Sequence, residues 1–205
     1  MRRPVRKPIR RRQPTQKRAQ ETIDAILDAV IRLLKRRSAA AITTNSIAEA
    51  GGVSIGSVYQ YFPDKRAIFI ALHERHTEQV DEVIQQKIDE SAGEPLDRLV
   101  SHLIDGMIEV HARDPELATL LDSEVPHRAD KAGEFSLRVH GALRKALASH
   151  TESLGGAVKL DLRAFLLANM LDAFGHAIVM RRPRALSQRN ARTEACKAIL
   201  ASLRS

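Results

Sequence analysis

Between Thr43 and Lys65 the chain carries a run of short polar side chains with the chemistry to grip a nucleic-acid duplex. Gln60 has an amide that can pair bidentately with an adenine edge, and Gly56, lacking a Cβ, lets backbone approach bases closely. Ser57 can donate to a base or a phosphate, while the hydroxyls of Tyr59 and Tyr61 suit phosphate oxygens. Lys65 adds a cation for a phosphate. Thr43, Thr44 and Ser54 stand at the starts of the segments that hold these groups and belong to the same surface. Ile55 is counted with them, although helical spacing puts it toward the buried side.

Those groups need rigid elements behind them. Thr43 or Thr44 can cap a short helix whose apolar side is Ile47, Ala48 and Ala50. Gly51-Gly52 supplies the positive φ that ends a helix sharply, and Val53 can anchor the turn. Ser54 caps a second helix, which must stop before Pro63 because the residue preceding proline is pushed out of the α region. At roughly 100° per residue, centring the buried face on Val58 puts Ile55 and Phe62 within roughly 60° of it. Gly56 and Gln60 then point outward, with Ser57 and Tyr59 at the flanks. Two helices joined by a glycine turn make a helix-turn-helix, whose second helix fits the major groove of DNA. A surface helix in an ordinary bundle, with the tyrosines merely covering core, is the plainer reading of the same spacing.

From Ile47 to Lys65 the sequence closely resembles the DNA-binding signature of the tetracycline-repressor (TetR) family. Ile47, Ala48, Gly52, Val53, Ser54, Gly56, Val58, Tyr59, Tyr61, Phe62 and Lys65 fall at the family's spacing. One departure is Gly51, where the family pattern has alanine. The resemblance spans about Thr15 to Leu72; beyond that the likeness is to an all-helical layout and length. It implies a three-helix DNA-binding domain, a connecting helix, and a C-terminal domain that dimerises and holds a small molecule.

Charge is concentrated at one end. Residues 1–18 contain nine basic residues and no acid, whereas the 205-residue chain totals +8, so everything after residue 18 sums to −1. The arm of residues 1–14, with Arg6, Lys7, Arg10, Arg11 and Arg12, is read as disordered and placed to follow phosphates or enter a minor groove. A solvated tail without a role is the alternative, and its lack of an apolar face argues against membrane binding. One cysteine, Cys196, cannot form an internal disulfide and suits a reducing cytoplasm. Residues 1–4 lack the apolar core of a secretory signal, and no run of about 18 apolar residues predicts a membrane span.

The rest reads as helices. Thr15 is a candidate cap for a helix to about Arg37, completing the DNA-binding domain at 15–65. Asp64 caps a connecting helix over 66–90, and residues 91–205 form the C-terminal domain, for about nine helices in an all-α fold. Asp114-Pro115 opens a short helix in that domain with proline at the first position. By position, Leu103, Met107, His111, Leu121, Phe135, Val139, Met170, Phe174 and His176 can line an effector space that is apolar with few polar groups, and each is also ordinary core. Leu160 to Met180 is apolar on nearly all sides and must be covered all round. The last two helices are therefore expected to pair with a second copy as a four-helix interface through Phe165, Leu166, Leu171, Ile178, Ala195 and Ile199.

Catalytic and metal chemistry find little support. His73 and His76, with Glu74 nearby, share a helix but have no third ligand at a recognisable spacing, so no metal and no cofactor is expected. His102 and His111 lie on roughly opposite faces. No phosphate loop, Gly-x-Ser-x-Gly elbow or cysteine–histidine pattern occurs, so no enzyme is read. Cys196 is read as a packing residue. The reading is a cytoplasmic, homodimeric, ligand-responsive transcriptional regulator, a repressor released from a palindromic operator on double-stranded DNA by an unidentified, mainly hydrophobic effector. A basic nucleoid-type protein that binds DNA without sequence choice is the alternative, and it predicts uniform protection and steep salt dependence.

Overall fold

The computed structural model describes residues 12–124, 132–154, 159–180 and 187–205, with side chains excluded at 12–15, 122–124 and 132–136. The described residues form nine α-helices and one 3-10 turn, and no strand occurs among them. They divide into two compact units, with the boundary between Ile68 and Phe69.

The first unit is built on α1 (Arg12–Leu34), the 3-10 turn Ala39–Ala41, α2 (Thr44–Gly51), α3 (Ile55–Tyr61) and the start of α4 (Lys65–Glu90). The described part of α1 already includes Arg12, so Thr15 lies within the helix rather than at its start. Ile26, Leu27, Ala29, Val30 and Leu33 of α1 close over Ile42, Ile47, Val58, Phe62 and Ile68. Each of the Val, Leu, Ile and Phe side chains among them contributes about 1.5–3 kcal/mol on burial. α2 crosses α1 closely at Gly51, where an added Cβ would sit 3.2 Å from the Ala25 carbonyl oxygen. The Arg32 guanidinium donates to the Ala50 carbonyl at 2.7 Å and so satisfies an acceptor that the end of α2 leaves open.

Gly52 holds the turn at φ 64°, ψ 28°, the left-handed region that other L-residues enter only at a cost. Gly52→Ala is expected to lower stability by about 1–2 kcal/mol, read as a lower denaturation midpoint, because the strain is in the backbone and the site is otherwise open.

The second unit contains the remainder of α4 with α5 (Leu96–Arg113), α6 (Pro115–Glu124), α7 (Ala132–Ala148), α8 (Leu160–Met180) and α9 (Gln188–Arg204). Its core gathers Val80, Val83 and Ile84 of α4, Leu99 to Met107 of α5, Leu143 and Leu147 of α7, Leu167 and Leu171 of α8, and Ile199 and Leu203 of α9. Two glycines permit close helix approach: a Cβ at Gly106 would meet Val83 Cγ1 at 2.7 Å, and one at Gly175 would meet Met107 Cβ at 2.7 Å. The Arg192 guanidinium forks onto the Asp105 carboxylate, with Nη2 2.6 Å from Oδ2, and ties α9 to α5.

By length and composition α8 could cross a membrane, a test that the core helix of a folded domain also passes. One expectation changes here. Four of the six residues assigned to a dimer face (Leu171, Ile178, Ala195 and Ile199) lie in the protomer's own core. The apolar count was right, but α5, α7 and α9 already cover that side of α8. What remains outward on α8 is Leu162 and Phe165, half or more exposed, with Leu166 half-buried between them and the core.

Candidate nucleic-acid interface

Capping fixes where α2 and α3 begin. The Thr43 hydroxyl accepts from the Ser46 amide, and the Ser46 hydroxyl takes the Thr43 amide at 3.0 Å, a reciprocal capping box. The Ser54 hydroxyl accepts the Ser57 amide at 2.9 Å and lies 2.8 Å from the Ser57 hydroxyl. A cap of this kind is worth about 1 kcal/mol. It also holds each hydroxyl at the outer end of its helix, and one hydrogen of the Ser54–Ser57 hydroxyl pair is left to donate outward.

α3 is only seven residues long, and Val58 is its one fully buried side chain. Phe62, just past its end, is the second anchor, with its amide bonded to the Val58 carbonyl at 2.9 Å. The opposite strip is open. Gly56 and Gln60 are exposed, and an added Cβ at Gly56 would meet nothing closer than Ser54 Oγ at 3.7 Å. The protein itself therefore has no packing need for glycine at 56. Tyr59 is 54% exposed, and its hydroxyl sits 3.1 Å from the Thr44 hydroxyl, which brings the start of α2 and the middle of α3 into one hydroxyl-bearing surface.

Three predicted residues behave differently from their forecast. Ile55 is exposed although its angle falls near that of Val58, because it occupies the first turn of α3; angle around the axis does not report position along it. Tyr61 is half-buried. The Lys65 amine donates to the Ala39 carbonyl at 3.3 Å, so it also pins the 3-10 turn. Thr43, Thr44, Ser54, Gly56, Ser57, Tyr59 and Gln60 do come together on the α2–α3 surface. Of the arm, Arg6, Lys7, Arg10 and Arg11 lie outside the described residues; Arg12 belongs to α1, its side chain likewise outside them.

In the second unit, Leu103 and Met107 of α5 and Val139 of α7 are buried in one core, with Met170 and Phe174 packed against it. Leu121 is buried in α6 but outside that cluster, and Phe135 lies in α7 with its side chain outside the described residues. His111 is buried with Nδ1 2.8 Å from the Met107 carbonyl; its ring lies 5.5 Å from that of His76 and 5.6 Å from that of His176. The spacing of the residues along the chain does not reveal His76 as a neighbour of the other two, since three helices have to converge before the contact exists. No grouping among the described residues is arranged to hold a metal ion. Cys196 is half-buried, and burial pushes its thiol above the usual range while Arg192 pulls the other way; this favours the packing role over thiolate chemistry.

Comparison with known proteins places these features in a wider set. Residues 26–72 match the family model described as bacterial regulatory proteins, tetR family, and residues 95–203 match that of the tetracyclin repressor-like C-terminal domain. The chain is 26% identical over 170 residues to the HTH-type transcriptional regulator AcrR of Shigella flexneri, an alignment covering 82% of this chain and 76% of that one. It is 37% identical over 84 residues to an uncharacterised HTH-type transcriptional regulator of Mycobacterium tuberculosis, 41% of each chain. The solved structure of the fatty acid degradation regulator FadR from Bacillus halodurans superposes with a TM-score of 0.67 at 20% identity, covering 89% of this chain and 96% of that one, which speaks to the fold.

Proposed function

Because the chain belongs to the tetR family of DNA-binding transcriptional regulators, we propose that the exposed strip of α3 reads one half of an operator and that a second copy reads the other half. The observation that carries this is the open strip itself. Gly56 and Gln60 face outward on a helix held by Val58, with the Thr44–Tyr59 hydroxyl pair beside them for the phosphates. The basic residues of the arm add salt-dependent affinity along the same duplex. Thr43, Ser54, Ile55, Ser57 and Tyr61 border the reading strip, and Lys65 acts from the start of α4.

Gln60→Ala tests base reading. It is expected to cost about 1–3 kcal/mol of operator affinity, concentrated at one base pair, and to leave affinity for unrelated DNA unchanged. Almost no loss on any sequence would instead support the nucleoid-type alternative.

The second copy docks on the outward strip of α8. Only 28% of the apolar stretch of α8 is buried in the protomer, so a helix of this composition needs a further cover. Leu162, Phe165, Leu166, Asn169 and Ala173 recur at helical spacing along that strip. Asn169 and Asp172 on the uncovered side favour a protein partner over lipid.

The effector is a small, mainly hydrophobic molecule held in the second unit among α5, α7 and α8, lined by Leu103, Met107, Val139, Met170 and Phe174, with His111 and His176 as polar contacts. It releases the operator by binding one arrangement of the dimer better than the other, and the shift is limited to that difference in affinity. On this reading the protein is a cytoplasmic repressor. An operator titration with and without candidate apolar ligands tests it: release supports the reading, and unchanged affinity throughout leaves a constitutive DNA-binder.

A further inference from the structure

Three imidazoles from three different helices meet inside the second unit: His76 of α4, His111 of α5 and His176 of α8. The rings of His76 and His111 pack edge to face at 5.5 Å, and those of His111 and His176 lie tilted at 5.6 Å. His111 is 4% exposed, and its Nδ1 donates to the Met107 carbonyl, since a carbonyl oxygen only accepts. One residue before His176, Gly175 lies against Met107, where even a methyl group would collide, so α5 and α8 approach closely at this point. His76 and His176 are half-buried, so a charge added there is only partly solvated.

We propose that the His76–His111–His176 stack is a proton-responsive joint: acid charges it, and the charge loosens the packing of α4, α5 and α8 within this unit. A proton on His76 places a cation against the His111 ring, in a partly buried setting that opposes the charge. The groups acting on His76 are His73 on its own helix, His111 and His176 on the facing helices, and Asp114 just past the end of α5; only Asp114 favours the charged form. Burial is the largest influence, followed by His111, His73 and His176, and together they hold His76 down at about 4, against an ordinary 6.5.

The sign follows from that order. Above pH 6.5 His76 is neutral in both the folded and the unfolded chain, and its contribution is flat. Between 6.5 and about 4 the unfolded chain takes up a proton that the folded chain refuses, so stability falls as pH falls; below about 4 both forms are charged and the loss levels off. Between pH 7 and pH 5 the folded-to-unfolded ratio is expected to drop about 20-fold through this one residue.

Denaturant unfolding of the full-length protein at pH 7 and pH 5, beside His76→Gln, reads this directly. The amide keeps polarity and cannot charge, so the variant is expected to lack that 20-fold component while retaining the general acid sensitivity of the chain. Parallel losses in the two proteins would overturn the proposal. Should His76→Gln not fold, an NMR titration of the wild-type imidazoles decides instead: His76 remaining neutral to below pH 5 supports the joint, and an ordinary midpoint near 6.5 removes it.

Discussion

Gly56→Leu is expected to abolish operator binding while leaving the fold intact. In the free protein a Cβ at this position stands in open space, and leucine suits a helix better than glycine, so unfolding should be unchanged or slightly shifted toward stability. On DNA the same branched side chain would stand between the helix backbone and the base edges that the backbone must approach. A loss of at least about 100-fold, near 3 kcal/mol, is the expected reading in a fluorescence-anisotropy titration with the operator. Retained affinity would mean that α3 does not enter the groove by this face.

Phe165→Glu is expected to split the dimer. Phe165 is 56% exposed on the apolar strip of α8, so the substitution costs the protomer little, but in a dimer it would bury a carboxylate without a partner. Sedimentation should show a folded monomer, and operator affinity should fall by about 100-fold or more, because two linked reading heads bind as one event and two separate ones do not. Leu171→Glu is the contrasting change. Leu171 is 1% exposed in the protomer's own core, so that variant should unfold rather than dissociate. A folded dimer from Phe165→Glu would place the interface elsewhere.

How much of this was legible in the residues depends on range. The α2–α3 pair was readable to within a residue because its signals are local: Thr43 and Ser54 cap, Gly52 turns, and Pro63 stops. Asp64 likewise caps α4, its Oδ1 2.8 Å from the Ala67 amide, and Ser187 caps α9. Failures arose where a second element decides. Periodicity marks Leu171, Ile178, Ala195 and Ile199 as buried, but it cannot say whether α5 or a second copy buries them. Ile55 failed because a helical wheel carries no axial coordinate. His76 joined His111 and His176 only through the packing of α4, α5 and α8, a proximity that no spacing along one helix encodes.

The most direct measurement of the central claim is a cleavage footprint on DNA carrying the operator, with wild type and Gln60→Ala side by side. Two protected patches related by a two-fold axis are expected, their centres about one helical turn or a multiple of it apart, with the variant losing discrimination at one particular base pair in each half. Uniform protection along the duplex, unaltered by Gln60→Ala, would contradict it.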